Sequence, residues 1–307
     1  MPQFDTVEQL QAWLRKIQIR RTGGSLYHLL RVLLTNILQF DIDQRATAVA
    51  YSFTLALFPT IIVLFTLIPY IPITNLDDII LRFFSEIMPN GLYREAEPTI
   101  RDIVSQKRGG ILSLGFAFAI FSAMNGMIAL MRAFNVTQRA PEERSFLKTR
   151  LVALMLTGLL AMVLFVAVGV LIVGRIAMEE LAKSRVINID STYQYIQILS
   201  YFTVFTLLFV AVSIIYYFAP VLHKRWHFIN AGSIITSILI IIITQGFSYY
   251  FSNFSSYNRV YGAVGTLIAL MVWLYLVALL LILGFEINQS LDDASRQLAR
   301  ERIKHRK

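Results

Sequence analysis

The chain has 307 residues, of which 56% are hydrophobic and 15% charged, and its net charge is +9. Soluble domains carry ~25% charged residues, so this composition does not coat a soluble globule and suits a helical membrane bundle. There are no cysteines, which excludes disulfides, thiolate metal sites, iron–sulfur clusters and cysteine nucleophiles.

Residues 1–45 do not read as a secretory signal, because the basic start, single apolar core and small-residue cleavage site are missing. Asp5 and Glu8 open an amphipathic, basic segment that ends at Arg20-Arg21. After Gly23-Gly24, Leu26, Leu29, Leu30, Leu33, Leu34, Ile37 and Leu38 share one helical face. These patterns predict amphipathic N-terminal helices lying in the membrane interface.

The first span is expected over 46–68, with Asp41 and Asp43 as cap candidates ahead of it. Pro59 stands near its middle, removes a backbone hydrogen bond, and predicts a kinked or broken helix. Residues 74–108 form the longest polar connection, read as an outer interfacial segment with a turn at Pro89-Asn90-Gly91. Further spans are expected over 111–133, 151–173, 196–219, 231–251 and 263–285. The last is the clearest: from Ala263 to Phe285 there is no charge and no proline. At ~1.5 Å per residue it matches a hydrocarbon core of ~30 Å. The expected fold is therefore an all-α membrane protein, a six-transmembrane-helix bundle with a basic C-terminal tail over 288–307.

The distribution of Lys and Arg gives the orientation. With the N-terminus in the cytoplasm, the inner segments 1–45, 132–150, 220–230 and 288–307 hold 19 of the 28 basic residues. Both termini are accordingly expected in the cytoplasm. Tyr249, Tyr250, Tyr257 and Tyr261 would form an outer aromatic girdle, with Tyr216, Tyr217 and Trp226 near the inner surface. The basic ends suit anionic lipid headgroups, which attract each nearby cation by ~1 kcal/mol. No module or aromatic pattern for nucleic acid accompanies them.

Few side chains offer chemistry. His223 and His227 stand one helical turn apart, but their loop supplies no acidic third ligand and is itself cationic, so no metal site is expected. Phosphate loops and nucleophile elbows are absent. The chain is expected to have no catalytic, cofactor-binding or metal residue and not to be an enzyme. Polar groups within or beside the spans are more informative, because hydrocarbon makes them costly. Arg45, Arg132 and Glu286 share the inner face, where an ion pair from either arginine to Glu286 would close a cytoplasmic gate. Arg175, at the outer end of span three, reads as a snorkelling cation. Asn125 and Gln245 lie deeper, each either an interhelical hydrogen bond or a substrate contact. Ser233, Thr236, Ser237, Thr244 and Ser248 make span five the most hydroxyl-rich and predict that it lines a cavity. Arg45, Pro59, Asn125, Arg132, Gln245 and Glu286 are thus the candidate pathway or gating residues.

The run Arg45-Ala46-Thr47-Ala48-Val49-Ala50-Tyr51-Ser52-Phe53 through Phe58-Pro59 resembles the first-span signature of the YihY/BrkB family of bacterial inner-membrane proteins. Gly110-Ile111-Leu112, Tyr217-Phe218-Ala219-Pro220, Ala231-Gly232, Tyr261-Gly262-Ala263-Val264-Gly265, Trp273-Leu274-Tyr275 and Gly284-Phe285-Glu286-Ile287-Asn288 are similar to that family in the same order, over roughly residues 27–290. Where the family motif usually carries Ala, this chain has Phe285. The resemblance implies six helices in a bacterial cytoplasmic membrane. It also brings an older ribonuclease label and a link to serum resistance and virulence. RNA cleavage by metal needs clustered carboxylates or histidines, and the inner loops offer only Glu142, Glu143 and two histidines. Two functions follow as expectations: a transporter or export-type permease for a lipid-like or small-molecule substrate, and alternatively a non-transporting scaffold or envelope-assembly protein.

Overall fold

In the computed structural model, residues 35, 41–67, 78, 81, 97–98, 100–102, 109–137, 144–183, 189–221, 226–253 and 255–304 are described. Six helices follow one another: α1 (Ile42–Leu67), α2 (Gly109–Thr137), α3 (Phe146–Lys183), α4 (Ile189–Phe218), α5 (Ala231–Asn253) and α6 (Ser255–Lys304). All six are long and apolar enough to cross a membrane. Spanning as helices satisfies the backbone internally, which hydrocarbon demands. The expected amphipathic helices of 1–45 lie outside the described residues up to Asp41, apart from Thr35. So do Pro89-Asn90-Gly91, Glu142, Glu143 and the 222–225 part of the basic loop, and the side chains of Arg175, Tyr257 and Tyr261. In the 74–108 connection, Asp78, Leu81 and residues 97–98 and 100–102 are helical.

Each helix packs on its neighbour in sequence, and α6 returns to α1, so the bundle closes into a ring; α6 also touches α2. α1 runs unbroken through Pro59, correcting the alternative of a broken helix. Its hydroxyls turn back on their own helix: Thr54 Oγ1 donates to Ala50 O, Thr60 Oγ1 to Ala56 O and Thr66 Oγ1 to Ile62 O. Such back-bonding satisfies a hydroxyl where no water is at hand.

Packing around the ring is uneven. Core residues gather at one end: Ala46 and Val49 of α1, Met131 and Phe134 of α2, Ala153 and Leu156 of α3, Tyr216 of α4, and Ile282 and Phe285 of α6. α1 and α2 stay together along their length, with Val63 near Gly115. The far halves of the other helices leave large side chains uncovered, among them Phe165, Phe202, Tyr249 and Met271. Among the described residues the buried core is therefore concentrated at one end of the ring, which it seals.

The α5–α6 contact explains the seal. Helices in lipid gain no hydrophobic effect from pairing, so small residues that let backbones approach do the work. Gly232 faces the backbone of Gly284 so closely that a Cβ on it would collide with Gly284 O and with Asn288. A Cβ on Gly284 would strike Thr236 Oγ1 and the Tyr216 hydroxyl. Gly284→Ala is expected to lower stability by about 1–3 kcal/mol, the range for overpacking a tight core, read as the unfolding midpoint in detergent. Gly158→Ala, whose Cβ would meet nothing within 4 Å, is expected to leave that midpoint unchanged or slightly raised.

Candidate functional site

The sealed end is built around Arg45. It stands one turn into α1, after Asp41, whose carbonyl accepts from Arg45 N at 3.1 Å. Arg45 Nη1 donates to the Ala133 carbonyl of α2 at 2.6 Å, and Nη2 pairs with Glu286 Oε1 of α6 at 3.1 Å. One guanidinium thus joins three helices. Glu286 is wholly buried and the Arg45 side chain is 9% exposed. A carboxylate in that setting needs its cation, because an uncompensated charge in a low-dielectric interior is costly.

Beside the pair lies an aromatic plug. Phe285 stacks on Phe134 with centroids 4.4 Å apart, and Trp226 tilts onto Phe285 at 5.1 Å. Tyr216 meets Phe134 edge-on at 5.8 Å. The Tyr216 hydroxyl donates to Leu281 O at 2.8 Å and shares a hydrogen bond with Thr236 Oγ1 at 2.9 Å, tying α4, α5 and α6 together. Phe285, the position where the family motif usually has Ala, fills the centre of this cluster. Tyr216 is fully buried in this cluster.

A second polar network fastens the start of α5 to α6. Asn230 caps α5, its Oδ1 accepting from Ser233 N at 2.8 Å. Asn288 Oδ1 accepts from Gly232 N at 2.8 Å, and its Nδ2 donates to Asn230 Oδ1 at 2.6 Å. Helix starts leave unpaired N–H groups, and here a neighbouring helix supplies an acceptor for one of them. Arg144, just ahead of α3, donates to the carbonyls of Phe218, Ala219 and Pro220 at the end of α4. Val221 N donates to Asn135 Oδ1 of α2 at 3.0 Å.

The six sequence candidates fare differently. Arg45 and Glu286 come together. Arg132 is exposed on α2, so of the two arginines it is Arg45 that takes Glu286. Pro59 is buried within α1, and Asn125 is half-buried on α2. Gln245 is exposed on α5, and α2 and α5 are not neighbours in the ring. The expectation that span five presents its hydroxyls to a cavity is corrected. Ser233, Thr236 and Ser237 are fully buried in contacts, Thr244 accepts from Trp273 Nε1 at 3.2 Å, and Ser248 is exposed. Arg144, Asn230 and Asn288 are missed as joints of this end, and Tyr216, expected near the inner surface, is not foreseen as a hydrogen-bonded core residue. A faint signal existed in Asn230 and Ser233, a cap pattern at the start of an apolar run. No group of three His, Asp or Glu among the described residues could hold a metal ion.

Glu286→Ala is expected to cost about 3–5 kcal/mol by stranding Arg45, whereas the double variant Arg45→Met/Glu286→Leu recovers most of that loss. Reversible unfolding in mixed micelles would measure both.

Comparison with known proteins agrees with this architecture. A family model described as Virulence factor BrkB matches residues 33–307. The ribonuclease-like protein YfkH of Bacillus subtilis (strain 168) is 32% identical over 260 residues, which is 83% of this chain and 91% of that protein. A UPF0761 membrane protein of Actinobacillus pleuropneumoniae serotype 5b (strain L20) is 25% identical over 269 residues, 86% of this chain and 93% of the relative. A UPF0761 membrane protein of Stenotrophomonas maltophilia (strain R551-3) is 25% identical over 94% of this chain, and the match spans 66% of that longer protein. No solved structure matches the chain. With six membrane-crossing helices and a family match over almost its whole length, the chain belongs to the Virulence factor BrkB family of membrane proteins.

Proposed function

We propose that this protein is a transporter or export-type permease of the bacterial cytoplasmic membrane, with both termini in the cytoplasm and the Arg45–Glu286 end facing inward. The observation that carries the reading is the buried ion pair between the first and last helices of a closed ring. A ring held shut at one end by a charge pair and an aromatic plug has the form of a gated pathway. Breaking one pair would release the charged contact through which the same guanidinium joins α6 to α1 while holding Ala133 O of α2. Substrates of lipid-like or small-molecule type suit a bundle this apolar. The basic tail and N-terminal segment suit contact with anionic headgroups. Among the described residues no group of three His, Asp or Glu could hold a metal ion, and the reading is not enzymatic.

The scaffold reading draws on one observation. The hydroxyls Ser233, Thr236 and Ser237 are spent in packing rather than presented to a passage. A membrane scaffold would keep the Arg45–Glu286 end shut under all conditions, whereas a permease must open it.

Because the chain has no cysteine, Asn125→Cys supplies a single label site. In sided vesicles, an impermeant maleimide is expected to reach it from the periplasmic face alone. Glu286→Gln, which keeps a neutral hydrogen bond to Arg45, is expected to add labelling from the cytoplasmic face by severalfold. Cytoplasmic labelling that stays absent in Glu286→Gln would favour the scaffold. A reporter fused after Lys307 is expected to be active in the cytosol; activity on the far side would refute the orientation.

A further inference from the structure

Apart from the Arg45–Glu286 pair, a second cation stands near the start of α3, within the first turns of its crossing stretch. Arg150 is the fifth residue of the crossing stretch Phe146–Ala167, and Phe121 is the ninth of Ser113–Val136. The Arg150 guanidinium carbon lies 4.6 Å from the Phe146 ring centroid and 5.8 Å from that of Phe121. Its Nε is buried and has no hydrogen-bond partner among the described residues. None of the ion pairs among the described residues includes it. Two phenyl rings therefore cradle a full positive charge that no carboxylate of those residues neutralises.

Ring faces attract a cation but offset only part of the cost of keeping a guanidinium in a membrane segment. Arg45, in a comparable setting, has both a carboxylate and a carbonyl. The rings lie beside the guanidinium, and its planar fork is suited to a bidentate oxyanion, phosphate above all. Leu147, Leu151 and Leu154 are uncovered on the same stretch of α3, so apolar surface adjoins the charge. Asn125, half-buried, follows Phe121 by one turn on the same face of α2 and adds an amide to the region.

We infer that Arg150, held between Phe121 and Phe146, is the recognition point for a phosphate-bearing ligand in the α2–α3 groove. Such a phosphate belongs either to a lipid headgroup, whose chains would lie on the leucines, or to a free anion. This site is separate from the Arg45–Glu286 closure and stands whether or not the protein transports anything.

The test uses the full chain in a neutral detergent, with unfolding midpoint and ligand titration as readouts. The probes are phosphatidylglycerol, diacylglycerol and inorganic phosphate. Phosphatidylglycerol is expected to raise the midpoint, and diacylglycerol, which lacks the phosphate, is not. Arg150→Gln is expected to weaken the phosphatidylglycerol response about tenfold in half-saturating concentration, the loss of one charge-assisted contact. Phe121→Leu, which keeps the charge and loosens the cradle, is expected to weaken it less. A response to inorganic phosphate that Arg150→Gln removes supports the site and assigns it to the free anion. A response to phosphatidylglycerol alone assigns it to lipid. The inference is overturned if Arg150→Gln binds as the wild type does, if diacylglycerol stabilises equally, or if neither phosphate probe acts on the wild type. Should Arg150→Gln fail to fold, Arg150→Lys takes its place: the charge stays, the fork is lost, and an unchanged response again overturns the inference.

Discussion

A charged pair sealed from water between the first and last helices is the constraint on which this bundle depends. Arg45 and Glu286 are 241 positions apart in sequence, yet their side chains meet at 3.1 Å. In lipid the unfolded alternative for such charges is poor, so whatever brings α1 and α6 together also fixes the order of the ring. The same guanidinium takes the Ala133 carbonyl, near the end of α2, where helix carbonyls carry partial negative charge. One cation therefore meets a full negative charge and a dipole end at once. That combination turns the contact of three helices into a specific joint.

Close approach at α5–α6 comes from a different source. Gly232 and Gly284 remove side-chain bulk, and the freed space admits the Tyr216 hydroxyl, Thr236 and the Asn288 amide. Interhelical hydrogen bonds in membranes contribute only ~0.6 kcal/mol each on average. Backbone proximity, with the dispersion contacts it allows, outweighs any single one of them. The hydrogen bonds set register more than strength. The aromatic plug then occupies what the polar joints leave, and Phe285, at a position where Ala is usual in the resembling motif, supplies the ring that both Phe134 and Trp226 contact.

The relatives frame the functional question without answering it. The ribonuclease-like name belongs to the Bacillus subtilis protein, while others are described simply as membrane proteins. In this chain the polar contacts of the Arg45 end lie where helices meet. Buried charge pairs can act as switches because separating them is costly until something else solvates the charges.

Much of the architecture was legible in the residues. Six apolar runs such as Ala263–Phe285 declare spans by themselves, because hydrocarbon thickness and the need to satisfy the backbone leave a helix as the one solution for each. The sharing of one membrane face by Arg45, Arg132 and Glu286 was also readable, since it follows from the alternation of spans. Which arginine takes Glu286 was not, because that depends on the rotation of α1 and α2 about their axes; the fold turns Arg45 inward and Arg132 outward. For the same reason the hydroxyls of α5 read as a lining and proved to be packing, and Gln245 proved exposed. An amide or hydroxyl in an apolar run shows that it needs a partner. Only the azimuth of each helix, set by contacts between residues far apart in the chain, decides whether that partner is a neighbouring helix.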